Sequence, residues 1–140
     1  MLEGLFVTPA ATAIREALAG CEGKLAVIGN AKLASALAEG REVVAVGIPA
    51  RAAKSLPGTL DDLSSVADRS LAAVVAIDAR DVDEWLRVVR DGGRLVLVDR
   101  GTGRGHAAGA STVALCAGLI EIEQRHIGRV VVTSGIVKHL

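Results

Sequence analysis

From Lys24 to Gly40 the chain passes from a continuous apolar run to a helically spaced one, and the change falls at a single glycine. Leu25, Val27 and Ile28 suit a strand buried on both faces, whereas Leu33, Ala34, Leu37 and Ala38 recur at the three-and-four spacing of one helix face. Strand, tight turn and helix form the opening half of a βαβ unit. In an open α/β sheet that turn faces the ligand crevice, so Gly29 and Asn30 are the first candidate site residues.

The flanking segments continue the alternation. Thr8-Pro9 reads as an N-cap and first-turn proline, followed by a helix from Ala10 to Ala19 with Ile14, Ala17 and Leu18 on one face and Gly20 and Gly23 ending it. Glu42 to Ile48 predicts a second strand stopped by Pro49, and Ala50 to Leu56 a helix of about two turns. Between Pro49 and Leu71 no segment shows strand periodicity, and Thr59 to Val66 has neither clean alternation nor a long helical face. Leu71 to Ile77 is a third buried strand. The following helix sets Val82, Trp85, Leu86 and Val89 on one face, starts at a capping-box-like Asp81 with Glu84, and closes at Gly92-Gly93. On its solvated face Asp83 and Arg87 have the spacing of a weak ion pair. Arg94 to Val98 is a fourth strand. The glycine-rich segment from Gly101 to Gly109 reads as a surface loop; although it matches a dinucleotide-loop pattern, no completed parallel crossover follows. A helix with Ala110, Val113, Ala114 and Ala117 aligned comes next. Ile120 to His126 and Val130 to Val137 are strands too close for a crossover helix, so they pair as an antiparallel hairpin.

These elements predict an α/β fold, a Rossmann-like three-layer sandwich with a mostly parallel sheet and a C-terminal antiparallel hairpin, in one domain spanning residues 1–140. With 51% hydrophobic but 1% aromatic residues, the core must be built from Ala, Val, Leu and Ile. Sixteen basic and sixteen acidic residues cancel, and the lack of Tyr beside single Phe6 and Trp85 leaves few stacking platforms, which together argue against nucleic-acid binding. Glu3 stands where a signal peptide would be basic, and no apolar run reaches the roughly 18 residues of a membrane span. A cytoplasmic protein without membrane attachment is expected. Cys21 and Cys116 lie without metal-ligand spacing and are read as reduced packing residues; His106, His126 and His139 share no metal-binding pattern, so no metal is expected. No nucleophile motif pairs Ser or Cys with His and an acid, and the catalytic residues are unknown. His106 alone is a possible acid or base.

The succession resembles the class I S-adenosylmethionine-dependent methyltransferases over residues 24–137. Its most specific stretch is Leu71 to Asp99, which looks like that family's fourth strand, helix, Gly-Gly turn and fifth strand. The resemblance implies a cofactor crevice lined by Gly29, Asn30, Gly47, Asp62 and Asp78. Yet the family's first turn carries an acid and a run of glycines, of which Val27 to Lys32 keeps only Gly29, and Gly47 stands where a carboxylate would hold the ribose hydroxyls. Asp61, Asp62 or Asp78 would have to substitute.

The expected function is therefore a degenerate methyltransferase-like domain, non-catalytic and without cofactor, that serves in protein assembly or regulation. The alternative is a small S-adenosylmethionine-dependent methyltransferase using those five residues. Without a strand between Pro49 and Leu71, Val43 to Ile48 would be an apolar sheet edge in need of cover. That cover would come from the 50–66 segment, from Leu5 to Val7, or from a second copy. The positive mean hydropathy of +0.44 favours a homodimer, through that edge or through the terminal hairpin.

Overall fold

The computed structural model describes residues 2–38, 41–47, 59–60, 62–77, 82–99, 118–127 and 130–138. In chain order the elements are α1 (Leu2–Ala17), β1 (Leu25–Ile28), α2 (Ala31–Leu37), β2 (Val43–Val46), β3 (Thr59–Leu60), β4 (Leu71–Ile77), α3 (Val82–Val88), β5 (Val89–Asp99), β6 (Ile120–Ile127) and β7 (Val130–Ile136). The strands build a seven-stranded sheet in the order β3-β2-β1-β4-β5-β7-β6. β3 through β5 run parallel in that order, and β7 is antiparallel to both β5 and β6.

Alternation along the strands sorts the core into two layers. Leu25, Val27, Ala45, Val75, Val96 and Val98 pack against Ile14 of α1 and Leu33 and Leu37 of α2. On the other face Ala26, Val44, Val46, Val74, Leu95 and Leu97 meet Trp85 and Val88 of α3. With helices on both faces, the fold is a Rossmann-like three-layer sandwich, as the residue pattern predicts. α2 and α3 have seven residues each, too few for a stable isolated helix. Packing holds them, since each fully buried Leu or Val contributes about 1.5–3 kcal/mol. Trp85, 4% exposed, and Cys21, buried with its Sγ 3.4 Å from the Ala72 carbonyl oxygen, are both packing residues.

The structure departs from the expected elements in four places. α1 starts at Leu2, not after Thr8, so Pro9 lies within it. Proline removes one backbone bond there, but Ala10, Ala13, Ile14 and Ala17 are buried, and packing of that kind outweighs local propensity. Second, β3 exists: Thr59 and Leu60 pair with Ala45 and Val46. Two residues are too few to show a period. Ala45 and Val46 of β2 are thus paired by Thr59 and Leu60, which belong to the 50–66 segment. Third, α3 ends at Val88, and Val89 belongs to β5. The pairing jumps from Leu71 with Val89 to Ala73 with Arg94, so the chain between them turns out of register at Gly92-Gly93. Gly92 has φ +82, which glycine adopts without penalty. Fourth, Arg87 bonds Glu84 and Asp68 in place of the expected pair with Asp83. The Asp81 cap, the Ala50 to Leu56 helix, the Gly101 to Gly109 loop, His106, Cys116 and the helix before Gly118 lie outside the described residues.

Candidate functional site

The parallel strands end side by side, and the residues that follow their carboxyl ends include the candidate site residues. Gly29 follows β1, Gly47 follows β2, and Asp62 comes two residues after β3. Asp78 follows Ile77, the last residue of β4, and its own placement lies outside the described residues. The structure therefore brings Gly29, Asn30, Gly47 and Asp62 to one end of the sheet, where open α/β folds bind ligands.

Their individual chemistry is less accommodating. The Gly29 N–H donates to the Val46 carbonyl at 2.8 Å and the Gly47 N–H to the Leu60 carbonyl at 3.0 Å. Both amides extend the ladder and are turned to neighbouring strands, not to the crevice. Asn30 is the N-cap of α2, its side-chain oxygen accepting from the Leu33 N–H at 2.8 Å, a common role for asparagine at that position. Asp62 closes an Asx turn: its Oδ1 accepts from the Ser64 hydroxyl at 2.6 Å and the Ser64 N–H at 2.9 Å. Those bonds, the hydroxyl first, hold its carboxyl below the usual carboxylate range.

Two glycines show what a ligand would find. Gly29 has φ +79, and a Cβ built on it would have no atom within 4 Å. Bare backbone thus faces open space at the end of β1, which suits a ligand lying against the turn. At the end of β2, Gly47 has φ +69 and no carboxylate to offer a ribose. Among the described residues, the turn at Gly29 leaves room for the methionine part of S-adenosylmethionine, and Gly47 supplies no carboxylate for its ribose.

Sequence reasoning missed the main polar cluster nearby. The Arg87 guanidinium makes five hydrogen bonds: two to the Glu84 carboxylate, one to Asp68, and one each to the carbonyls of Val66 and Leu63. The Glu84 bonds chiefly, and then Asp68, raise its already high pKa. In return hydrogen bonds from Arg87 hold the Glu84 carboxyl low, against an opposing push from desolvation and, less, from the Asp62 and Asp68 charges. Asp62 thus belongs to the electrostatic surroundings of this cluster, which fastens the β3–β4 connection to α3. Only an arginine at the last turn of a helix hinted at it, because its partners lie up to 24 residues away.

A polar cleft of about 450 Å³ opens toward the other end of the sheet, where Glu16 and Ala17 of α1 face Arg94, Glu121 and Arg125. Among the described residues no group of three His, Cys, Asp or Glu is placed to hold a metal ion, and no helix is long and apolar enough to cross a membrane. His126 is exposed on β6.

No protein-family model matches the sequence. No curated protein matches it either. Solved structures do match in shape. A chain from the complex between the Haloferax volcanii Trm112 methyltransferase activator and a candidate methyltransferase superposes with a TM-score of 0.69 at 18% identity, over 92% of this chain and 90% of that one. The ribosomal protein L11 methylase from Lactobacillus delbrueckii subsp. bulgaricus gives a TM-score of 0.71 at 15% identity, over 95% and 79%. A Thermus thermophilus 16S rRNA methyltransferase (RsmC), solved with S-adenosylmethionine and guanosine, gives 0.61 at 18% identity over 84% of this chain but only 36% of its own length. The chain has the class I methyltransferase-like fold.

Proposed function

We propose that this chain is a methyltransferase-like domain that has lost ordinary S-adenosylmethionine binding and works as a non-catalytic module in protein assembly or regulation. The observation that carries this reading is Gly47 at the end of β2, its N–H engaged by Leu60, where members of the resembled family hold the ribose with a carboxylate. A charge-assisted hydrogen bond is worth about 1.5–3 kcal/mol. Losing the contacts to both ribose hydroxyls would remove about 4 kcal/mol, enough to turn a micromolar ligand into a millimolar one. The match to a chain from the complex of a methyltransferase activator and a candidate methyltransferase supports a protein partner for this chain.

A second reading, a small S-adenosylmethionine-dependent methyltransferase with atypical contacts, is favoured by the open space over Gly29. In it Gly29, Asn30, Gly47, Asp62 and Asp78 line the site. Calorimetric titration with S-adenosylmethionine and its demethylated product separates the two. We expect no binding tighter than roughly millimolar; a micromolar dissociation constant would overturn the assembly reading in favour of the enzyme.

A further inference from the structure

Strand alternation puts Val132, Ser134 and Ile136 of β7 on one face of the sheet, where Val132 faces Val98, Ser134 faces Val96 and Ile136 faces Arg94. Val96, Val98 and Val132 are buried in the layer that holds Ile14 of α1. That helix ends at Ala17, and past its end Arg94, Ser134 and Ile136 line the polar cleft of about 450 Å³. Ser134 is only 6% exposed, yet its hydroxyl makes no hydrogen bond among the described residues. The neighbouring Thr133 hydroxyl, by contrast, accepts from the Gln124 side-chain amide at 2.9 Å. A buried polar group without a protein partner calls for one from outside the chain.

The charges around the cleft divide into those already paired and those not. Arg125 bonds Glu16 at 3.1 Å and Glu123 at 3.3 Å, so these three close the cleft on one side and hold nothing further. Arg94 meets no carboxylate among the described residues; its guanidinium donates to the Gly92 carbonyl at 3.0 Å. Glu121 also lines the cleft and forms no ion pair among the described residues. We propose that the cleft binds a small aliphatic α-amino acid as its zwitterion, the carboxylate on Arg94 and Ser134 and the ammonium on Glu121.

Charge and shape select that class. Glu16, Glu121 and Glu123 against Arg94 and Arg125 leave an excess of negative charge, which disfavours a bare anion. A bare cation would leave Arg94 and Ser134 unused. A molecule with both charges answers both sides, because a guanidinium beside a hydroxyl suits a carboxylate and a lone carboxylate suits an ammonium. Ile136 faces Arg94 on one side and Ile120 on the other, so Arg94 and Glu121 rise from strands about 10 Å apart and can close on a small molecule from opposite walls. Ala17, Ala19, Ile122 and Ile136 supply the apolar lining, which suits an aliphatic side chain. The volume falls within the roughly 300–1,000 Å³ of small-molecule sites. Because the cleft lies at the other end of the sheet from Gly29 and Gly47, the inference goes beyond the assembly reading and does not depend on it.

NMR titration of the full chain with L-alanine, L-valine and L-leucine tests the proposal. At least one is expected to bind with a Kd of about 1 mM or tighter, moving the amide resonances of Ala19 and of Ser134 to Ile136 while those of Gly29 and Gly47 stay in place. For L-leucine, 4-methylpentanoate lacks the ammonium and 3-methylbutylamine lacks the carboxylate; each should bind about tenfold more weakly than the amino acid. Arg94→Gln should weaken amino-acid binding about tenfold, and Glu121→Gln should erase the preference for L-leucine over 4-methylpentanoate. Glu121 has φ +50, so Glu121→Gly relieves its backbone and should raise Tm while still weakening amino-acid binding, which separates loss of the site from loss of the fold. No binding by any of the three amino acids up to about 10 mM overturns the proposal, as does 3-methylbutylamine binding as tightly as L-leucine, which would make the cleft a cation site. Folded Arg94→Gln and Glu121→Gly variants that bind as tightly as the unchanged chain refute it equally.

Discussion

Gly29 and Gly93 are both replaced by alanine in the most direct test of which glycines serve the fold and which leave room at the crevice. At Gly29 the added Cβ meets nothing within 4 Å, so the only cost is the backbone conformation at φ +79. A left-handed alanine costs about 1–2 kcal/mol, and reduced freedom of the unfolded chain returns about 0.4–1 kcal/mol. The net loss is about 1 kcal/mol, or roughly 4 °C in Tm for a domain of this size. Gly93 has no positive φ, but its Cβ would collide with the Ala72 carbonyl oxygen, lie 2.6 Å from Val89 Cγ1 and sit 3.0 Å from the Arg90 carbonyl oxygen. Two of those three atoms are backbone and cannot rotate away. Overpacking costs about 1–3 kcal/mol where side chains can yield, so here about 3 kcal/mol or more is expected, and a Tm lower by roughly 10 °C or beyond. Urea unfolding followed by the fluorescence of the chain's one tryptophan, Trp85, which is 4% exposed, measures both. Equal losses, or a larger loss at Gly29, would refute the steric reasoning.

The Asp62 carboxyl should titrate below about 3.9, the ordinary value, in an NMR pH series, and Ser64→Ala should move its midpoint upward. Because the folded value is the depressed one, the stabilisation from Asp62 is fully present above the ordinary carboxylate value and is lost as pH falls through the folded one. Arg87→Lys keeps the charge but cannot reproduce a fork that reaches the Glu84 carboxylate and the Leu63 and Val66 carbonyls together. Amide hydrogen exchange should accelerate at Ser64 and Val66 while β4 stays protected; unchanged exchange would show that the fork does not hold this connection.

Elements announced by apolar periodicity were legible. β1, α2, β4 and the β6–β7 hairpin fall where the residue pattern puts them, because a buried strand or a helical stripe needs several apolar residues in phase. β3 was not legible, since two residues have no phase, and it exists only because β2 offers a ladder to join. The same limit applies to the site. Gly29, Asn30, Gly47 and Asp62 were recognised by following strand ends, but the direction of the glycine amides and the capping role of the Asn30 side chain depend on neighbours that spacing does not reveal. Arg87 was read as a solvated helical residue because its carbonyl partners lie far off in sequence.

β7 lies between β5 and β6 in the sheet although it comes after β6 in the chain. The order of synthesis and the order of assembly therefore conflict. When residues 120–127 leave the ribosome they have no neighbour to join, and they must wait until Val130 to Ile136 supply one ladder to β6 and another to β5. The last clasp is Val137, whose N–H reaches the Gly93 carbonyl at 2.9 Å and whose carbonyl receives the Gly92 N–H at 2.8 Å. Until β7 docks, the edge of β5 turned away from β4 is left as a bare template. Pairing between distant segments is slow, and a waiting apolar strand invites aggregation, so a chain of this topology is most vulnerable before β7 docks.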